Sequence, residues 1–271
     1  MFTYTLSAMA KTRLDSLLVE RGIFESRSRA AAAVMAGEVR LGSERERAER
    51  PGQLVPADVA VMVDDGPAYV SRGGLKLAAA LDALGLDPRG RRCLDVGAST
   101  GGFTDCLLQR GAAHVVALDV AYGELHWRVR TDPRVTPLER QNARTLEPSR
   151  LPYRPDLLTV DVSFISLAKV LPAVLACAAE RFDCLALVKP QFEVGRGRVG
   201  KGGVVREAGD RRAALVSVGE FVVGLGYSLL GFASSGLPGP AGNRESFTWI
   251  GEPGRARARD QVEAAAREVE P

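Results

Sequence analysis

Hydrophobic positions along this chain change period near residue 65. Before that point Leu14, Leu17 and Leu18 recur at helical spacing, with Gly22 where a helix would stop. Ser26 is placed to cap a second helix, RSRAAAAVMAG, which the spacing ends at Gly37. VRL at 39–41 and the alternating VAVMV at 59–63 predict short strands, while ERERAERPG between them reads as an exposed, turn-rich connection. Residues 11–65 are thus expected to form a small α+β domain, followed by a linker at 66–70. From 71 to 251 the pattern is different. Apolar runs (RCLDVG, HVVALDV, LLTVDV, CLALVK, LLGFAS, SFTWIG) alternate with helical stretches such as KLAAALDAL and RRAALVSVGEFVVGLG. That alternation predicts an α/β domain: a Rossmann-like, mostly parallel sheet with helices on both faces. Residues 252–271 are charged and Ala-rich, which predicts a docked terminal helix or a disordered tail. Residues 1–10 read as an N-terminal tail; Met9 directly precedes AKTRLD, so 1–8 are expected to be loose or an upstream-start artefact.

Composition narrows the function classes. In 271 residues, 46% hydrophobic and 25% charged content are ordinary for a soluble globular chain. No apolar run approaches the roughly 18 residues that span a membrane, so no membrane insertion is expected. The start lacks the basic and long apolar stretches of a signal peptide, which favours the cytoplasm. The four cysteines form no CxxC pair and there are two histidines, so neither a disulfide framework nor a metal centre is expected. The net charge of +3 neither demands nor excludes a nucleic-acid partner. Residues 1–65 carry nine Lys/Arg against ten Asp/Glu, so RNA binding there needs cations segregated onto one face.

Candidate chemistry concentrates in a few stretches. Asp95, Gly97, Ala98, Ser99, Thr100, Gly101, Gly102 and Phe103 follow a strand and open a helix, a turn that lets backbone approach a ligand closely. Serine at position 99 departs from the GxGxxG dinucleotide fingerprint. Asp119, at the end of the next strand, is spaced to bind ribose hydroxyls, and an acid opening the first turn suits the amine of S-adenosylmethionine better than a pyrophosphate. Asn142 is expected to flank the adenine. Asp95, Asp119, Asp161 and Lys189 all fall at strand ends, where such sheets bind ligands.

A ribose 2′-hydroxyl is a poor nucleophile. Two lysines near it can stabilise developing oxyanion charge, and a lysine serves as base only when desolvation or a second cation lowers its own proton affinity. Lys76, Asp161, Lys189 and Glu245 supply two lysines and two carboxylates to orient them. Lys189 is the expected proton acceptor, Lys76 an electrostatic assistant, and Asp161 a neighbour of the methyl donor as well.

The stretches SRGGLKL, LDVGASTGGFTDCLL, VVALDVAYGELHW, DVSFISL, LVKPQFEVGRG and LPGPAGNRESF resemble the TlyA/hemolysin A family over about residues 11–250. RLDSLL, Gly22, SRSRAA and AGEVRL resemble the S4 RNA-binding domain. The resemblance implies an S4 domain joined to an FtsJ-like methyltransferase domain. It also implies S-adenosylmethionine as cofactor, cytidine 2′-hydroxyls of ribosomal RNA within ribosomal subunits as target, and a catalytic tetrad at Lys76, Asp161, Lys189 and Glu245. Arg13, Arg27, Arg29 and Arg40 are then the expected RNA phosphate contacts. A monomer is expected. A membrane-lytic protein and a non-catalytic ribosome assembly factor are the competing readings.

Overall fold

In a computed structural model, which describes residues 11–63, 68–255 and 261–271, the chain divides between Ala68 and Tyr69. The tail at 1–10 and part of the 66–70 linker lie outside the described residues.

The first unit is built from β1 (Lys11–Arg13), α1 (Leu14–Glu20), α2 (Arg27–Ala36), β2 (Val39–Leu41), β3 (Glu46–Arg47), β4 (Leu54–Pro56) and β5 (Val61–Val63). Its core gathers Leu14, Leu17 and Leu18 with Ala30, Ala33, Val34, Val39, Ala48 and Val55. Ser26 caps α2 by accepting from the Arg29 N–H at 3.3 Å, and Gly37 ends it in the left-handed region at φ 79°. β1 pairs with β4, and β2 lies between β3 and β5. ERERAERPG is exposed at most positions, as expected, but it is not turn alone: Glu46 and Arg47 pair with Leu41 and Arg40 as a short strand. A two-residue strand is too short to show alternation, so its pairing is visible only in three dimensions.

The second unit contains α3 (Arg72–Leu84), β6 (Arg92–Val96), α4 (Gly102–Gln109), β7 (His114–Leu118), α5 (Trp127–Arg130), β8 (Val135–Leu138), β9 (Leu157–Val160), α6 (Leu171–Ala176), β10 (Asp183–Val188), α7 (Pro190–Glu193), α8 (Ala208–Gly224), β11 (Ser228–Ser234), β12 (Ser246–Gly251) and α9 (Val262–Arg267). One seven-stranded sheet runs in the order β11-β12-β10-β9-β6-β7-β8. β12 is antiparallel to both its neighbours, and the remaining pairings are parallel.

The apolar strand runs are continuous because both faces are covered. Leu94, Val96, Val116 and Leu118 point into one core with residues of α6, α8 and α9. Cys93, Val115 and Ala117 point into the other, with residues of α3, α4 and α5. Each fully buried aliphatic side chain contributes about 1.5–3 kcal/mol. Within 252–271, Ala265 and Ala266 of α9 enter the first of these cores, and Glu270 pairs with the buried Arg211 at 2.9 Å. Tyr69 packs on Gly74, and the Val70 N–H donates to Asp105 at 2.8 Å.

Candidate active site

Parallel strands deliver their carboxyl ends to one edge of the sheet. Asp119 follows β7, Asp161 follows β9 and Lys189 follows β10, each by one residue. Glu245 precedes β12, but that strand runs the opposite way, and the pairing Val188↔Ser246 brings Glu245 to the same edge beside Lys189. Lys76 comes from the second turn of α3. The N-termini of α3 and α4 meet closely there: a Cβ on Gly102 would lie 2.1 Å from Ser71 Oγ and 3.0 Å from the Gly74 nitrogen.

All four residues line one cavity of about 430 Å³, together with Ser71, Arg72 and Gly73, the turn residues Gly97, Ala98, Ser99, Thr100, Gly102 and Phe103, and Pro238 and Pro240. They form two ion pairs. Lys76 Nζ contacts Glu245 Oε2, with both side chains buried. Lys189 Nζ lies 2.5 Å from Asp161 Oδ1 and donates to Ser163 Oγ at 2.8 Å. The Lys189–Asp161 approach is a charge contact rather than an aligned hydrogen bond, and Asp161 Oδ1 is buried with no hydrogen-bond partner.

A second cavity of about 440 Å³ adjoins the first and shares Gly97, Ser99 and Asp161 with it. Asp119, Gln141, Asn142, Ala143, Ser163 and Phe164 are among its walls. Asp119 accepts from the Ser99 N–H at 2.7 Å and the Ala121 N–H at 2.8 Å, so it braces the glycine turn as well as facing the cavity. Asn142 Oδ1 accepts from the Arg144 N–H at 3.0 Å. Gly97 has φ 84°, and a Cβ there would meet the Asp161 carbonyl oxygen at 2.2 Å; glycine is what lets the turn close against β9.

Two expected donor contacts differ. Asp95 lines neither cavity: it is the penultimate residue of β6, fully buried, and its oxygens accept from Thr104 Oγ1 at 2.7 Å and Thr159 Oγ1 at 3.0 Å. Strand register explains this, since Asp95 pairs with Thr159 and points under the turn rather than out of it. Burial pushes its carboxyl up to about 6, opposed by the threonine hydrogen bonds. Gly101 also lines neither cavity and serves as the left-handed start of α4 at φ 93°.

Sequence reasoning missed Ser163, Gln141, Thr104, Thr159 and the aromatic Phe164, which is 92% exposed at φ 63°. Ser163 and Phe164 lie two and three residues past Asp161 in DVSF; that proximity was the available signal. All four cysteines are buried and burial pushes their thiols up, which leaves none as a nucleophile. Among the described residues no cluster of His, Cys, Asp and Glu could hold a metal, and no helix is long and apolar enough to cross a membrane.

In the first unit Arg13 and Arg27 converge on one buried carboxylate, Asp15, at 2.8 and 3.1 Å. Arg13 in particular holds the Asp15 carboxyl well below its ordinary range. Arg29 pairs instead with Glu25 at 2.5 Å, and Arg40 stands on β2.

A sheet of this order, with a glycine turn and a lysine–carboxylate cavity at its carboxyl edge, is an α/β domain whose ligand site lies at the strand ends. The chain belongs to the FtsJ-like methyltransferase family, whose profile matches residues 69–252. It is 50% identical over 242 residues to the 16S/23S rRNA (cytidine-2′-O)-methyltransferase TlyA of Mycobacterium tuberculosis, covering 89% of this chain and 90% of that one. It is 35% identical to hemolysin A of Brachyspira hyodysenteriae over 86% of this chain and 97% of the other. Among solved structures, a proposed hemolysin of Streptococcus thermophilus superposes with a TM-score of 0.70 at 37% identity, covering 96% of each chain.

Proposed function

We propose that this chain transfers a methyl group from S-adenosylmethionine to the 2′-hydroxyl of cytidine in ribosomal RNA, acting in the cytoplasm on assembled ribosomal subunits. The observation that carries the reading is the meeting of Lys76, Asp161, Lys189 and Glu245 in one cavity that shares the wall of a second. The relatives named for rRNA cytidine 2′-O-methylation support the acceptor. The residues suit the donor: a Cβ-free cradle at Gly97, the carboxylate of Asp119, the amide of Asn142, and the Asp161 carboxylate, ion-paired with Lys189, on the shared wall. When bound, S-adenosylmethionine supplies an electrophilic methyl group on a positively charged sulfur.

The chain's own residues do the rest. Asp119, Gly97 and Ser99 hold the donor in the second cavity, the turn residues Ala98, Thr100, Gly102 and Phe103 face the first, and Asp95 holds the turn from beneath through Thr104 and Thr159. As the ammonium held by Asp161 and Ser163, Lys189 polarises the 2′-hydroxyl oxygen; taking the hydroxyl proton at Nζ requires its neutral amine form, which gains that proton as the methyl–oxygen bond forms. Lys76, fixed by Glu245, sets positive charge beside the developing alkoxide. In the first unit, of S4 type in this reading, Arg13, Arg27, Arg29 and Arg40 grip RNA phosphates, with Asp15 setting the directions of the first two. The test is methyl incorporation from labelled S-adenosylmethionine into purified ribosomal subunits. Retention of RNA binding without incorporation would make the chain an assembly factor.

A further inference from the structure

Glu193 is a charged residue that this chemistry leaves without a task. It ends α7, four residues past Lys189. Its carboxylate reaches to the neighbouring loop, where Oε2 accepts from Ser166 Oγ at 2.7 Å and Oε1 accepts from the Leu167 N–H at 2.9 Å. Burial pushes this carboxyl up, against both hydrogen bonds. Capping the 3-10 turn Leu167–Lys169 does not require it, because Ser166 Oγ already accepts from the Ala168 N–H at 3.2 Å.

What Glu193 adds is a tie between two segments. One leaves β9 and carries Asp161 and Ser163; the other leaves β10 and begins with Lys189. The backbone ladder joining these strands ends at Ala186↔Val160, so the Lys189–Asp161 pair lies beyond it. Phe164 and Phe192, with ring centroids 5.4 Å apart, bridge the same two segments. We infer that Glu193 is a positioning residue that holds Lys189 against Asp161 and Ser163. The inference rests on the methyl-transfer reading above.

The experiment uses the full-length chain, purified ribosomal subunits and saturating labelled S-adenosylmethionine, at a temperature well below each variant's melting point. Glu193→Ala is expected to lower kcat about ten- to a hundredfold, the scale of a misplacement near 1 Å, with the KM for subunits within about twofold of wild type. Glu193→Gln is expected to recover kcat to within about threefold, since its amide oxygen accepts from Leu167 N–H and its amide N–H can donate to Ser166 Oγ. Ser166→Ala removes one of the two bonds and is expected to lower kcat severalfold; it carries the test if Glu193→Ala does not fold. Wild-type kcat in folded Glu193→Ala, or in Ser166→Ala where the former is unfolded, overturns the inference. So does a loss confined to KM, or an equal loss in Glu193→Gln. Lys189→Ala in parallel separates the levels: wild-type transfer there overturns the catalytic reading itself, whereas an inactive Lys189→Ala beside an unimpaired Glu193→Ala overturns the inference alone.

Discussion

The two lysine–carboxylate pairs of the cavity use the same chemistry in different surroundings. Lys76 and Glu245 have side chains 9% and 1% exposed, and a Cβ on Gly239 would lie 2.3 Å from Glu245 Oε1, so this pair is sealed. Lys189 and Asp161 are 12% and 24% exposed, with Asp161 on the wall between the two cavities. A sealed pair cannot exchange partners without leaving a buried charge uncompensated. An open pair can turn its charges toward ligands. The first therefore supplies fixed charge and the second handles the proton.

The largest expected contrast is in activity against stability. Lys189→Ala should lower transfer about 10²–10⁴-fold, the usual worth of a positioned acid–base group. It also takes the cation from the buried Asp161 Oδ1, but Asp161 is 24% exposed where Glu245 is 1%, so its urea midpoint should fall less than that of the Lys76 variant. Lys76→Met should also impair transfer, but it strands the Glu245 carboxylate and should destabilise the fold by about 3–5 kcal/mol in urea titration. Adding Glu245→Leu should return much of that stability and none of the activity. Similar stability losses in the two lysine variants would erase the distinction between the pairs.

A second contrast lies between two buried acids and is read by pH. Asp95 is pushed up to about 6 by burial, so the folded state holds its proton more tightly than the unfolded chain, where an aspartate titrates near about 3.9. Its contribution is present below about pH 4 and is lost as pH rises toward about 6, by up to about 1.4 kcal/mol per unit. Asp95→Asn should flatten that slope. Asp15 has the opposite sign: its carboxyl is lowered chiefly by the Arg13 hydrogen bond, so its contribution is present above about pH 4 and fades as pH falls. Urea titrations from pH 4 to 7 of wild type and Asp95→Asn check the first; an unchanged slope contradicts it.

The smallest effect belongs to the first unit. Arg13→Ala and Arg27→Ala should each weaken RNA binding severalfold and reduce the slope of log affinity against log salt by about 1. An unchanged slope would leave both arginines as partners of Asp15 alone.

Periodicity carried the second unit well, because strands of four to seven residues buried on both faces leave long apolar runs. It carried β1, β3 and β4 poorly, because each is two or three residues long and is defined by its partner. In the site, Asp119, Asp161 and Lys189 were legible as strand-end residues. Glu245 was not: its place depends on β12 running against its neighbours, which no local pattern encodes. Asp95 looked like a ligand contact by position, yet register turned it inward onto Thr159, a residue 64 positions away along the chain. Glu193 was legible only as part of LVKPQFEVG, since its partners lie on the loop after another strand.

The most direct test follows the methyl group to its atom. Ribosomal subunits are incubated with labelled S-adenosylmethionine and the chain, and the RNA is then hydrolysed in alkali, which cleaves beside free 2′-hydroxyls and spares linkages whose 2′-oxygen carries methyl. The account predicts label in alkali-resistant dinucleotides containing 2′-O-methylcytidine, and none with Lys189→Ala. Label released as a base-methylated nucleotide, or wild-type incorporation by Lys189→Ala, would contradict it.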